Sequence, residues 1–139
     1  MESSGHEPEA IPAAPAPWTL KGTVYIFMIY TTSSGAATLS SDPDFIYSSL
    51  EANSSFSKAQ LKGGLSMVQL IRYTESPVGP YDELVLVPGY FEYEVETKDK
   101  NGKTKLEKRK NLQCTKVFVS QNKTCWNGRK SNISIPLIT

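Results

Sequence analysis

The sequence predicts a mainly β protein, an antiparallel curved sheet or partial barrel with one or two short helices. Three observations carry that prediction. Apolar stretches of strand length, rich in β-branched and aromatic residues, recur from Val24 to Val119. Turn residues separate them: Gly63-Gly64, Ser76-Pro77-Val78-Gly79-Pro80, Pro88-Gly89 and Asp99-Lys100-Asn101-Gly102. From Phe91 to Glu96 the chain alternates with period two, placing Phe91, Tyr93 and Val95 on one side and Glu92, Glu94 and Glu96 on the other.

Taken in order, residues 1–17 read as a disordered Pro/Ala-rich tail, since Pro12, Pro15 and Pro17 favour extended, solvated backbone. Residues 18–139 read as one domain. Its first strand lies within Trp18–Tyr30, and the nearly unbroken apolar run Val24–Tyr30 implies that both of its faces are covered. Thr31–Ser41 is small and polar, a loop by composition. Asp42-Pro43 opens a short helix, with Asp42 as cap and Phe45, Ile46 and Leu50 on one face. Leu65–Thr74 and Tyr81–Val87 are the next strands, joined by the rigid loop of Pro77 and Pro80. Lys105–Lys110 is expected to pair back on the three glutamates, because opposite charges facing across strands support that register. Leu112–Ser120 gives a further strand.

The chain has 139 residues, of which 39% are hydrophobic and 10% aromatic, enough to build a core. A net charge of +1 supplies no field to draw in nucleic acid or an anionic membrane, so neither is an expected partner. The longest apolar run is too short to cross a bilayer. No export signal is visible at the N-terminus, and a soluble, cytoplasmic protein is the default expectation. The glycosylation-type triplets at Asn53, Asn122 and Asn132 are therefore expected to be chance matches. Cys114 and Cys125 read as two reduced, buried thiols. With His6 the lone histidine, and in the tail, the sequence offers no zinc site and no histidine-based acid–base chemistry. It calls for no metal and no cofactor.

Two segments carry a family resemblance. One is Ser76-Pro-Val-Gly-Pro-Tyr-Asp-Glu83 running into Leu84-Val-Leu-Val-Pro-Gly89. The other is Val117-Phe-Val-Ser120 followed by Cys125-Trp-Asn-Gly-Arg-Lys130. In that order they resemble the acetoacetate decarboxylase superfamily, above all its fungal relatives of unknown activity. The resemblance covers roughly residues 65–130 and, weakly, the opening strand. It implies an acetoacetate-decarboxylase-like β domain and a pocket containing Pro80, Tyr81, Glu83 and Arg129. A small carbonyl or apolar ligand is the implied partner.

The family's enzymes decarboxylate a β-keto acid through a Schiff base on a lysine. That amine must be neutral to attack, so its pKa has to fall from about 10 by desolvation or a neighbouring cation. In the fungal relatives the segment after Gly-Arg-Lys continues into Asn-Ile-Pro-Lys. Here Ser131–Thr139 places Leu137 after Pro136, and no lysine lies beyond Lys130. Lys130 itself stands where the bacterial enzymes carry a glutamate. The resemblance therefore implies an incomplete, truncated relative without the Schiff-base lysine, and no residue is assigned a catalytic role. Other readings stand beside it: a lipocalin-like module holding an apolar ligand, or a lyase using Lys116 or Lys130. Glu83 as an exposed strand residue, Tyr81 as core and Arg129 as a solvent-facing loop residue are the plainer alternatives for the pocket. An interrupted barrel leaves sheet edges open, so self-association is expected.

Overall fold

The computed structural model describes residues 10–49, 51–52 and 54–130; the side chains of Pro43, Ser55, Phe56 and Lys130 fall outside that description. Six antiparallel strands form one open sheet: β1 (Lys21–Thr31), β2 (Gln60–Glu75), β3 (Tyr81–Val87), β4 (Tyr90–Lys98), β5 (Thr104–Leu112) and β6 (Lys116–Val119). Three short helices, α1 (Ser33–Ser40), α2 (Pro43–Ile46) and α3 (Asn122–Lys130), and a 3-10 turn at Ser55–Lys58 accompany them. The fold is mainly β, as expected, and the sheet does not close into a barrel.

β2 is the shared strand. Its start pairs with β4 (Leu61 opposite Phe91), and its remainder lies between β1 and β3. The change of partner falls at a register shift between Leu61 and Gly63. There the end of β1 and the β3–β4 corner approach so closely that side chains do not fit. A Cβ on Gly63 (φ +79°) would lie 2.4 Å from the Thr31 carbonyl oxygen, and one on Gly89 (φ +143°) 2.7 Å from the Gly63 oxygen. Buried Ser66 stitches the same junction. Its hydroxyl donates to the Pro88 carbonyl at 2.7 Å, which leaves Thr31 to donate to Ser66 at 2.5 Å.

β3 spans Tyr81–Val87, the residues that its bounding turns assign to it, and ends at Pro88-Gly89. In the β4–β5 hairpin Glu92 faces Lys110 and Glu94 faces Lys108, while Glu96 meets Leu106. The Asp99 carboxylate closes the turn by accepting from the backbone N–H of Asn101 and Lys103, at 2.8 and 2.9 Å. Asp42 accepts from the Asp44 N–H at 3.1 Å, as its capping role requires. Of that helix's expected apolar face, Ile46 is buried, Phe45 is exposed, and Leu50 lies outside the described residues.

Three expectations need correction, and one helix was not foreseen. Ser33–Ser40 is a helix and not a loop: Thr32 caps it, its hydroxyl accepting from Gly35 N–H at 3.1 Å, and Ala36 is small enough to pack flat at 2% exposure. Asn122–Lys130 is helical despite an interior glycine, because Cys125 is buried against Tyr81 and Val119. Of the two thiols only Cys125 is buried; Cys114 is exposed. Finally, β1 is not covered on both faces. Every residue from Val24 to Tyr30 is about half exposed or more, because among the described residues β1 ends the sheet and no layer lies over it. The proposed tail is also anchored at its described end. Buried Asn127 accepts from Ala14 N–H at 2.8 Å, and the Trp18 indole donates to the Ala14 carbonyl at 2.9 Å.

The core is divided. One cluster joins Ala36, Ile46, Tyr47, Leu61 and Phe91; the other joins Tyr81, Val119 and Cys125. Phe91 and Val119 are the largest side chains removed from solvent completely or nearly so, at 1% and 0% exposure. In so small a core, Phe91→Ala is expected to cost about 3–5 kcal/mol, a large fraction of a typical domain's margin. A urea melt of the variant should show its midpoint collapsing. Gly63→Ala meets backbone rather than a movable side chain. It should destabilise by more than the ~1 kcal/mol that an ordinary glycine position involves, read as a drop in melting temperature, whereas Gly102→Ala, with open space around it, should lose less.

Candidate functional site: an acidic residue on an apolar sheet face

Cross-strand register determines which side chains share a face. Glu83 lies opposite Ile71 on β2 and Val119 on β6, and Tyr81 lies opposite Tyr73. Partners in an antiparallel ladder point the same way, as do residues two apart. Ile71, Tyr73, Tyr81, Glu83 and Val119 therefore form one patch. The Tyr73 and Tyr81 rings meet at 4.7 Å between centroids, tilted by 38°. Tyr81, Ile71 and Val119 are buried, and Glu83 is half-buried among them.

The neighbouring acid shows what this placement does. Asp82 points to the other face, where Arg72 grips both of its carboxylate oxygens, at 2.9 and 3.2 Å. That charge-assisted bond holds the Asp82 carboxyl below its ordinary value. Glu83, one residue on, has no such support. Burial pushes its carboxyl above the ordinary value, and no cation among the described residues offsets it. Burial also raises the Tyr73 and Tyr81 phenols, and the Glu83 charge adds to both. The patch thus offers a carboxyl that retains its proton longer than usual beside two phenols that stay protonated. The two phenols can donate a hydrogen bond to a carbonyl oxygen, and the Glu83 carboxyl can do so in its protonated form.

The residues expected in the pocket part company here. Tyr81 and Glu83 share the face. Pro80 is exposed at the strand's entrance; its carbonyl accepts from the Gln121 amide at 3.2 Å, tying the Ser76–Pro80 loop to the start of α3. Arg129 is exposed on α3, and no ion pair reaches it among the described residues. Residues 131–139, with Leu137 in the position expected for a lysine, lie outside the described residues, as does the Lys130 side chain. Tyr73 was not among the expected site residues. Its signal was its place, next to the end of β2, facing Tyr81 across the proline loop.

Two open clefts lie elsewhere. One of about 510 Å³ lies between the helices and β2, with Ile46, Tyr47, Leu61 and Phe91 among its walls. A larger one of about 920 Å³ follows the β4–β5 hairpin and is edged by Glu92, Glu94, Lys58 and Lys108. Among the described residues no group of three acidic, cysteine or histidine side chains could hold a metal ion, and no helix is long and apolar enough to cross a membrane. Compared with protein-family models, curated proteins and solved structures, the chain gives no match.

The raised Glu83 carboxyl fixes a sign for pH dependence. Between the ordinary glutamate value of 4.5 and the higher folded value, the folded state holds a proton that the unfolded state has released. Stability should therefore fall as pH rises through that window. The Asp82–Arg72 pair acts oppositely and lower: its contribution is present above the ordinary aspartate value and is lost as pH falls through the depressed one. Glu83→Gln should be more stable than the parent at neutral pH and should flatten the upper limb. Urea melts taken from pH 4 to 8 check both.

Proposed function

We propose that this chain is an acetoacetate-decarboxylase-like β domain without Schiff-base decarboxylase activity. Its Glu83 face receives a small carbonyl compound by hydrogen bonding instead of reacting with it. One observation carries the reading. In the paired segments of β1, β2, β3 and β6, the one lysine on the Glu83 face is Lys21, at the outer end of β1, where its amine is exposed and paired with Glu75 at 2.8 Å. Lys116, the lysine of β6, lies on the opposite side and donates to the Asp44 carbonyl at 2.6 Å. The other described lysine side chains are exposed. A Schiff-base amine needs the reverse: a desolvated nitrogen that is neutral near pH 7. What the patch does supply, a reluctant acid and two phenols, suits the recognition of a keto oxygen.

The apolar walls of the 510 Å³ cleft favour a second reading, in which a small apolar ligand is held between the helices and β2.

Borohydride reduction in the presence of acetoacetate, followed by intact-mass measurement, tests the first reading. No added mass and no carbon dioxide release are expected. A reduced adduct on any lysine would restore the lyase. In parallel, acetoacetate should raise the melting temperature of the parent and not of Glu83→Leu, which has no hydrogen-bond donor, whereas a medium-chain fatty acid acting equally on both would favour the apolar cleft.

A further inference from the structure

Sheets end in edges, and an exposed edge is a row of unpaired N–H and C=O groups. Proteins commonly blunt such edges with lysines, short strands, bulges or prolines. Two ends of this sheet are protected in that way. β5 is fully exposed but carries Lys105, Lys108, Arg109 and Lys110. β6 has only four residues and runs directly into α3. β1 has none of these devices along its body. It is eleven residues long, its one charge is Lys21 at the start, already paired with Glu75 at 2.8 Å, and its one irregularity lies between Lys21 and Gly22. Among the described strands, it is paired on one side only, by β2.

The side chains on this edge are apolar on both faces. Val24, Ile26, Met28 and Tyr30 share the Glu83 face, and Tyr25, Phe27 and Ile29 occupy the other; their exposures run from 49% to 75%. Taking roughly 200 Å² for each such residue when fully open, these seven expose on the order of 800 Å² over the two faces, of which a strand laid along the edge covers the flank turned toward it.

We propose that a second copy of this chain covers β1, the two β1 strands pairing antiparallel across a two-fold axis centred on Ile26. Symmetry narrows the register. An antiparallel edge junction of identical strands has its axis perpendicular to the sheet, so each residue must meet one from its own face, which means a centre on a residue and not between two. Centring on Ile26 uses the strand from end to end. Val24 then meets the partner's Met28 and Tyr25 the partner's Phe27, and because Lys21 is the strand's one charge and lies at its end, no like charges oppose each other. β6, β3, β2 and β1 of each copy would join into one continuous sheet of eight strands.

Sedimentation velocity on the full chain over a range of concentrations tests this. The parent is expected to behave as a dimer that dissociates on dilution. Ile26→Lys sets two lysines face to face at the axis, on a side chain already 55% exposed, so folding should survive while dimerisation weakens by at least about tenfold. Leu106→Lys, on the exposed β5 edge, should leave the dimer unchanged. A parent that stays monomeric, a dimer indifferent to Ile26→Lys, a dimer broken by Leu106→Lys, or open-ended aggregation would each overturn the proposal. Circular dichroism of each variant shows that the sheet is retained. If Ile26→Lys fails to fold, Thr23→Lys, which faces the partner's Ile29, takes its place.

Discussion

The structure depends on one strand being shared by two half-structures. β2 takes β4 as its partner at one end and β1 and β3 along the rest, and it changes partners where three backbone segments come within side-chain distance of each other. Gly63 and Gly89 permit that approach, and Ser66 holds it with hydrogen bonds to Thr31 and Pro88. Beyond the junction lie two small clusters, one beneath the helices and one beneath α3. Neither cluster is large: five buried residues form the first and three the second.

The same strand arranges the functional face. Because β2 and β3 are in register from Met67 to Tyr73, Tyr73 is brought onto Tyr81 and Ile71 beside Glu83. The strand alternation then separates two adjacent acids. Asp82 receives a guanidinium at the surface, and Glu83 receives phenols and aliphatic groups. Their carboxyls move in opposite directions for that reason alone, the first downward through a hydrogen bond to Arg72 and the second upward through burial. A carbonyl ligand would find phenol donors on this face and, among the described residues, no buried amine.

Local pattern made some of this legible in the sequence. Turn residues locate β3, alternation locates β4, opposite charges pair β5 with it, and the motif resemblance groups Tyr81 with Glu83. Other parts were hidden for physical reasons. The run Val24–Tyr30 shows that the strand is apolar but not what covers it, and nothing among the described residues does. α1 is made of serine, alanine and glycine, and its cap at Thr32 resembles ordinary loop chemistry. In α3, Asn122 and Gly128 argue against a helix by propensity, yet Cys125 packs against Tyr81 and Val119 and overrides it. Tyr73 becomes a site residue only through register, a long-range property that no short motif encodes. Arg129, grouped with Tyr81 and Glu83 by motif, stands apart on an exposed helix.

The central claim concerns the Glu83 carboxyl: it faces apolar side chains and two phenols, and no described cation relieves it. Carbon-13 NMR of its carboxyl carbon, followed across pH in the intact chain, observes that group directly. This account requires its midpoint to lie above the ordinary glutamate value of 4.5, while that of Asp82 lies below the ordinary aspartate value. A Glu83 midpoint at or below 4.5 would mean that water or a cation reaches the carboxyl, and the face would not be the one described.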